Sequence, residues 1–171
     1  MEQQERTFTE GDQEAMIQTI SKTGVPAVVV LVTGAPVTMQ RWHSQVPAVV
    51  QTWYACEKGG LAIADVLFGD TNPGGRLPMA FPRSVGQVPL YYNYPPGGRS
   101  NRYWDDDGKP LFLFGFGLSY TTFDLTNLKV TSTATSAGAG EVSVSVDVKN
   151  TGSRGGDEVV QVFFLIESPI T

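Results

Sequence analysis

The sequence predicts an α/β domain with a mostly parallel sheet, followed by the first strands of an all-β sandwich. Residues 26–33 form a continuous apolar run rich in valine, which is typical of a strand buried on both faces of a parallel sheet. A segment with helical spacing precedes this run and another follows it. After residue 124 the pattern changes to alternation of apolar and polar residues, which predicts strands with one solvated face.

Composition limits the classes of function. The chain has 171 residues, of which 41% are hydrophobic and 17% charged, so it is long enough and apolar enough to fold as one domain or one domain plus part of another. The net charge is -5 with only 12 Lys and Arg residues, which argues against a nucleic-acid partner because phosphate binding requires clustered cations.

Cysteine and histidine are too few for several kinds of site. Cys56 is the single cysteine and His43 the single histidine, so an internal disulfide and the usual zinc ligand sets are excluded. We therefore expect no metal and no cofactor. The longest apolar run, residues 27–32, is too short to span a bilayer, and the first residues are polar and acidic, so we expect no membrane partner and no leader in this stretch.

The first third of the chain predicts a helix and then a strand. Thr9 is a suitable N-cap for a helix over residues 10–22, and residues 26–33 form the strand. Gly34 and Pro36 follow directly, and open α/β sheets bind ligands at the carboxyl ends of their strands. A plain connecting loop is the alternative. Residues 46–53 are apolar, and their periodicity fits either a strand or a helix.

The most distinctive stretch is residues 59–82, GGLAIADVLFGDTNPGGRLPMAFP. Residues 61–68 have helical spacing and Gly69 ends the helix. Residues 70–75 are a dense run of turn formers, and the prolines at 78 and 82 favour an extended segment over 76–82. A surface loop that only reverses the chain is the alternative interpretation of the turn.

The last third predicts a junction and an incomplete sandwich. In residues 111–123, LFLFGFGLSYTTF, glycines alternate with large aromatic residues, which fits a domain junction better than a catalytic loop. Strands are predicted at 125–133, 141–149 and 158–166. An immunoglobulin-like sandwich needs about seven strands, so we expect a truncated module with an exposed edge and poor solubility on its own.

Two of these strings resemble signatures of family-three glycoside hydrolases, the β-glucosidase family. Residues 59–82 resemble the signature of the C-terminal α/β domain of that family, and residues 85–93, VGQVPLYYN, resemble a segment that follows it. Residues 111–123 resemble a second hallmark string, with Leu113 where proline is usual and Phe116 where tyrosine is usual. The resemblance implies an α/β domain over 1–110, a linker over 111–123 and a truncated fibronectin type III-like domain over 124–171.

One loop departs from the family pattern. Cys56 stands where the family's loop before Gly59 and Gly60 usually has its first glycine, and cysteine does not adopt positive φ without cost. We expect Cys56 to be a small, partly buried apolar residue rather than a nucleophile, since no histidine stands near it in sequence.

The resemblance implies a retaining β-glucosidase that hydrolyses terminal β-D-glucosyl residues of glucosides and oligosaccharides. In the family the nucleophilic aspartate belongs to an N-terminal barrel, to which nothing in this chain corresponds. The acid/base glutamate carries over to Glu2, which stands four residues before Arg6 as in the family's EGxDR stretch. The alternative interpretation is that Glu2 belongs to a solvated chain end and has no catalytic role. The implied partners are a β-linked glucoside or oligosaccharide and the missing barrel, and the implied compartment of the parent enzyme is extracellular or periplasmic.

Two other classes compete with the enzyme. One is a non-catalytic carbohydrate-binding or structural fragment, in which the Tyr-, Arg- and Asp-rich residues 95–108 contact sugar. Solvated loop residues are the plainer interpretation of the same stretch. The other is a flavodoxin-like regulatory domain, which the two hallmark strings disfavour.

Overall fold

The structure, a computed structural model, describes residues 13–93, 108–133 and 140–164. These ranges contain two helices and four strands, together with short 3-10 helices at His43–Gln45 and Val85–Gln87. The elements occur in the order α1 (Gln13–Ser21), β1 (Val28–Leu31), β2 (Ala48–Gln51), α2 (Gly59–Phe68), β3 (Phe123–Ser132) and β4 (Val142–Asn150). Neither described helix is long and apolar enough to cross a membrane.

The first sheet is the parallel pair predicted for an α/β domain. β1 and β2 pair in parallel from Val28 opposite Ala48 to Leu31 opposite Gln51, which decides that the ambiguous residues 46–53 contain a strand. The expectation that residues 26–33 are buried on both faces is wrong. β1 is shorter than predicted, Val28 is 47% exposed, and the other three strand residues are half-buried. In the described part of the chain this sheet has two strands only, and none of their residues is fully buried.

Both predicted helices are present. α1 lies within the predicted residues 10–22, of which 10–12 fall outside the described ranges. α2 ends as expected at Gly69, which adopts a left-handed conformation (φ 83°) and donates its N–H to the carbonyl of Val66. A glycine at this position avoids the clash that a Cβ makes with the backbone at positive φ, so the local sequence determines where the helix ends.

A small aromatic core lies beside the first sheet. Met39, Trp42 and Phe81 are its fully buried members, and Phe81 is 1% exposed. Side chains from both helix α1 and the sheet pack on them, as do residues from the two hallmark strings; these are Ile17, Val29, Leu31, Val46, Val49, Trp53, Leu77, Leu111 and Phe112. The core therefore joins segments that are up to about ninety residues apart in sequence.

The two hallmark strings pair with each other. Phe81 donates its N–H to the carbonyl of Phe112 (2.8 Å) and accepts from the N–H of Leu111 (2.8 Å). Four residues earlier, Leu77 donates to the carbonyl of Phe116 (2.9 Å) and accepts from Gly115 (2.7 Å). The extended segment that leaves the first string is thus bonded along its length to the second string, as an antiparallel ribbon.

The second sheet is an antiparallel pair. β3 and β4 pair from Phe123 opposite Asn150 to Ser132 opposite Val142, with an irregularity between Thr126 and Lys129. The alternation predicted for residues 141–149 produces strand β4, although its valines are only half-buried or exposed because this sheet has two strands in the described part.

The prediction of a third strand at residues 158–166 is wrong for residues 158–164, the part of it that the structure describes. Residues 158–164 form no strand pairing. Instead the Phe163 ring contacts Tyr92 (centroids 6.1 Å apart) and Phe114 (6.5 Å), both edge-on. Contacts with aromatic rings from distant segments thus take the place of a backbone ladder, and local alternation in the sequence carries no information on such contacts.

We predict that Phe81→Ala strongly destabilises the chain. Removing a fully buried phenylalanine deletes its contacts with Trp53 and Phe112 and leaves a cavity, which costs about 3–5 kcal/mol. Phe68→Ala is the matched control, since Phe68 is 85% exposed and its loss is expected to change the free energy of unfolding by about 0.5 kcal/mol or less. Denaturant unfolding followed by circular dichroism measures both values. Equal losses in the two variants contradict the assignment of the core.

Candidate functional site

The loops at the carboxyl end of the first sheet are bonded to each other. Thr52 donates from both its backbone N–H and its hydroxyl to the carbonyl of Leu31, at 3.0 and 2.9 Å. Gln51 donates from its side-chain amide to the hydroxyl of Thr33 (3.1 Å), which in turn donates to the carbonyl of Ala35 (2.8 Å). These bonds fix the two loops relative to each other, at the edge where ligands bind in open α/β sheets.

The residues that follow β1 and β2 at this edge include a close contact at Gly34 and a left-handed backbone conformation at Trp53. A Cβ at Gly34 would lie 2.5 Å from Cε2 of Tyr54, so a side chain there would require the exposed Tyr54 ring to move. Trp53 has φ 54° and its indole packs on Phe81 with ring centroids 6.1 Å apart. The chain leaves β2 in a sparsely populated conformation, which the burial of the indole against the core compensates.

Cys56 keeps the backbone conformation that glycine favours. It has φ 48°, and its carbonyl accepts from the N–H of Gly59 (3.2 Å) at the start of α2. The expectation that Cys56 is partly buried is wrong, because the side chain is exposed. A residue with left-handed backbone at the outside of a turn directs its side chain to solvent. The exposure of Cys56 therefore follows from the turn and not from the apolar character of its thiol.

A polar hollow lies at the amino end of α1. It is a cavity of about 320 Å³ lined by Glu14, Thr38, Gln40, Arg41, Arg83 and Ser84. Glu14 belongs to the first turn of α1, residues 38–41 belong to the segment that follows β1, and Arg83 follows the first hallmark string. No sequence pattern indicated this hollow, because its residues come from three separate segments with no motif in common.

Arg83 is held in place by its neighbours. Its backbone N–H donates to Oε1 of Gln87 (2.7 Å), and its Nε donates to the carbonyl of Lys109 (3.2 Å). Gln87 is 6% exposed and its own amide donates to the same carbonyl of Lys109 (3.2 Å). Within the described residues, the two Nη groups of Arg83 and the carboxylate of Glu14 have no hydrogen-bond or ion-pair partner, so both charged groups remain available to a ligand.

A second cluster connects the two sheets. We call it the joint; it consists of residues 69–76, 119–122 and 150–158. Asn72 is at its centre: its amide donates to the hydroxyl of Ser119 (2.9 Å), and its Oδ1 accepts from that hydroxyl (3.1 Å) and from the backbone N–H of Tyr120 (2.7 Å). The turn of the first string therefore does more than reverse the chain.

The carboxyl end of α2 is part of the same joint. Tyr120 donates its hydroxyl to the carbonyl of Val66 (2.9 Å), and Arg154 donates to the carbonyl of Gly69. The Arg154 guanidinium also lies 5.5 Å from the centre of the Tyr120 ring. A cation at a helix carboxyl terminus satisfies unpaired carbonyls and complements the helix dipole, so these contacts stabilise the end of α2.

The ion pair of the joint is largely buried. Arg76 Nη2 lies 2.8 Å from Glu158 Oε2, and the two side chains are 11% and 18% exposed. Sequence reasoning did not single out Asn72, Arg76, Arg154 or Glu158 as interacting residues. The signal for both was weak, since Arg154 is a charge inside a glycine-rich turn and Glu158 begins a predicted strand, and only the structure brings them to residues eighty positions away.

Two sequence predictions fall outside the described residues. Glu2, the candidate acid/base, and residues 95–107 of the aromatic loop both lie in the parts of the chain that the structure does not describe. Across 13–93, 108–133 and 140–164, no three His, Cys, Asp or Glu side chains come together as a metal site.

The fold is similar to that of solved β-glucosidases. A β-glucosidase from Erythrobacter marinus superposes with a TM-score of 0.78 at 39% identity, over 85% of this chain and 19% of that one. A β-glucosidase from Listeria innocua in complex with glucose gives a TM-score of 0.74 at 28% identity, over 84% of this chain and 21% of that one.

The chain belongs to glycosyl hydrolase family 3, since the family model for the "Glycosyl hydrolase family 3 C-terminal domain" matches residues 2–120. This confirms the resemblance of the two hallmark strings. A periplasmic β-glucosidase of Salmonella typhimurium is 44% identical over 161 residues, covering 88% of this chain and 21% of its own length. A β-xylosidase of Formosa agariphila is 46% identical over 156 residues, covering 90% of this chain and 21% of its own length. The chain thus spans about a fifth of these relatives.

We predict that Cys56→Gly stabilises the chain by about 0.5–1 kcal/mol. Glycine relieves the cost of positive φ, and the exposed thiol contributes no packing that would be lost. Cys56→Ala keeps the strained backbone and is expected to leave the midpoint of thermal unfolding unchanged. A stabilising effect of alanine as large as that of glycine contradicts the backbone explanation.

We predict a coupling energy of about 1–2 kcal/mol between Arg76 and Glu158, because the pair is largely shielded from water. A double-mutant cycle of Arg76→Met and Glu158→Gln, read from denaturant unfolding, measures it. The matched control is the cross-strand pair Asp124 and Lys149, which is exposed, so its coupling is expected to be below about 0.5 kcal/mol. Similar couplings in the two cycles refute the role assigned to the buried ion pair.

Proposed function

We propose that this chain is part of a retaining β-glucosidase that hydrolyses terminal non-reducing β-D-glucosyl residues of glucosides and oligosaccharides. The observation that carries the proposal is the family match over residues 2–120, together with 44% identity to a curated β-glucosidase. Because the chain spans about a fifth of that relative, the remainder of the active site is assigned to protein outside this chain.

The roles that we propose for two carboxyl groups follow from the chemistry of a retaining glycosidase. One carboxylate attacks the anomeric carbon while a second carboxyl, about 5 Å away, protonates the departing oxygen and then activates water. We assign the second role to Glu2 and the first to an aspartate of an N-terminal barrel. The support for both roles is the family resemblance; the described chain after the Glu2 segment is held in place by Ile17 of α1, which packs on the buried core.

We propose the domain organisation predicted above for the longer protein. Residues 1–110 belong to the α/β domain, residues 111–123 link it to the next module, and residues 124–171 begin a fibronectin type III-like domain. The antiparallel pairing of β3 with β4 immediately after the linker supports the last assignment. The similarity to a periplasmic β-glucosidase of Salmonella typhimurium supports a periplasmic or extracellular location for the parent enzyme.

A β-D-xyloside is the second candidate substrate. It is favoured by the β-xylosidase relative, whose identity of 46% is close to that of the β-glucosidase. Glucosides and xylosides differ by one hydroxymethyl group on the reacting sugar. The ratio of kcat/KM for matched aryl β-glucosides and β-xylosides therefore decides between them.

We predict that Glu2→Gln lowers kcat/KM by about 10²–10⁴ on glucosides with a poor leaving group, because the departing oxygen loses its proton donor. The loss is expected to be much smaller for an activated aryl glucoside, whose leaving group needs no proton, and added azide should restore turnover. The assay uses a chimaera in which this chain replaces the matching part of the Salmonella relative. Glu5→Gln, three residues away, is the matched control.

Three outcomes contradict the proposal. Equal losses in the Glu5 and Glu2 variants, or a loss in the Glu2 variant that does not depend on the leaving group, remove Glu2 from the acid/base role. Hydrolysis by the unfused chain refutes the assignment of the nucleophile to another domain. A folded chimaera that hydrolyses neither aryl glycoside favours the non-catalytic carbohydrate-binding or structural alternative.

A further inference from the structure

We propose that the polar hollow at the amino end of α1 binds a neutral sugar unit on the leaving-group side of a β-linked oligosaccharide. This inference rests on the proposed function, which supplies the class of substrate. The binding site itself is inferred from the side chains that line the hollow, none of which belongs to the proposed acid/base machinery.

The first argument is the chemistry of the lining. The carboxylate of Glu14 only accepts hydrogen bonds, and the guanidinium of Arg83 only donates them. Both line one cavity, and within the described residues they form no ion pair with each other. A sugar hydroxyl both donates and accepts, so adjacent hydroxyls of one sugar ring satisfy the two groups together. The lining carries charges of both signs, so a cationic ligand would be repelled by Arg41 and Arg83 and an anionic ligand by Glu14.

The second argument is that the donor is held in place before binding. The bonds from Arg83 to Gln87 and to the carbonyl of Lys109 use its backbone N–H and Nε, so within the described residues its two Nη groups form no hydrogen bond. A planar fork held in this way matches two neighbouring oxygen atoms and loses little side-chain entropy on binding. Gln87, which is buried, thus acts as a support for Arg83.

The third argument is size and shielding. The cavity volume of about 320 Å³ lies at the lower end of the range for small-molecule sites, which suits one sugar unit. Glu14, Thr38, Arg83 and Ser84 are half-buried, so their hydrogen bonds to a ligand compete less with water than bonds at an open surface do.

The fourth argument is position in the chain. Glu14 stands twelve residues after Glu2, in the first described turn of the helix that the Glu2 segment enters. The acid/base carboxyl of a retaining enzyme acts on the oxygen of the leaving group. The assignment of the sugar site to the leaving-group side rests on this nearness in sequence.

The test is direct binding of cellobiose to the full chain, measured by saturation-transfer NMR and isothermal titration. Saturable binding is expected for the unmodified chain. Glu14→Ala and Arg83→Met should each raise Kd by about tenfold, which is the effect of removing a hydrogen bond to a charged group. Thr38→Val, which removes a hydroxyl with little change in shape, should raise Kd less. Circular dichroism verifies that each variant is folded.

Glu57→Ala is the matched control for Glu14→Ala. Glu57 is also a carboxylate beside the start of a helix, two residues before α2, but it is exposed and outside the hollow, so cellobiose binding should be unchanged. Three results overturn the inference: no saturable binding, binding that persists in folded Glu14→Ala and Arg83→Met chains, or tighter binding of glucuronate than of glucose. Since the readout is binding, its failure is distinct from a failure of the aryl glucoside assay.

Discussion

The pairing of the segment at residues 77–81 with residues 111–116 is the interaction on which the remainder of the structure depends. It places Phe81 and Phe112 side by side in a core whose buried cluster, over the described ranges, consists of Met39, Trp42 and Phe81. It also determines where the chain goes next. Because residue 116 is bonded to Leu77, residues 119–122 reach the turn around Asn72, and the joint forms as a consequence. Removing the ribbon would separate the core and the joint together.

The joint shows how charged and polar groups contribute in a protein with little apolar burial. Asn72 uses both atoms of its amide, Arg76 pairs with Glu158, and Arg154 binds the carboxyl end of α2. Asn72, Arg76 and Glu158 are partly shielded, so loss of one of them leaves a polar group without a bond in a place that water does not fully reach, whereas Arg154 is exposed. The joint therefore links the stability of the β3–β4 pair to that of α2, and it converts the hallmark turn into a structural connection between the two sheets.

The hollow and the proposed catalytic role concern the same part of the chain. In the proposed reaction, Glu2 supplies or removes a proton, and the residues at the start of α1 bind the sugar that departs. The division is physically reasonable because positioning needs rigid side chains, and Arg83 is fixed by a buried glutamine and a backbone carbonyl. Neither role requires a metal or cofactor, since carboxyl groups alone perform retaining glycoside hydrolysis.

The sequence by itself determined the features that depend on neighbouring residues. It predicted α2 and its end at Gly69, the strand at β1, the antiparallel alternation of β4, and family membership from two strings, since capping, periodicity and motifs are local. Tertiary structure decided the rest. Several features depend on which distant segments meet. They are the partial burial of β1, the absence of strand pairing at residues 158–164, the exposure of Cys56, and the partners of Asn72, Arg83 and Glu158. Such contacts form when backbone pairing and core packing bring segments together, and no local pattern encodes which segments those are.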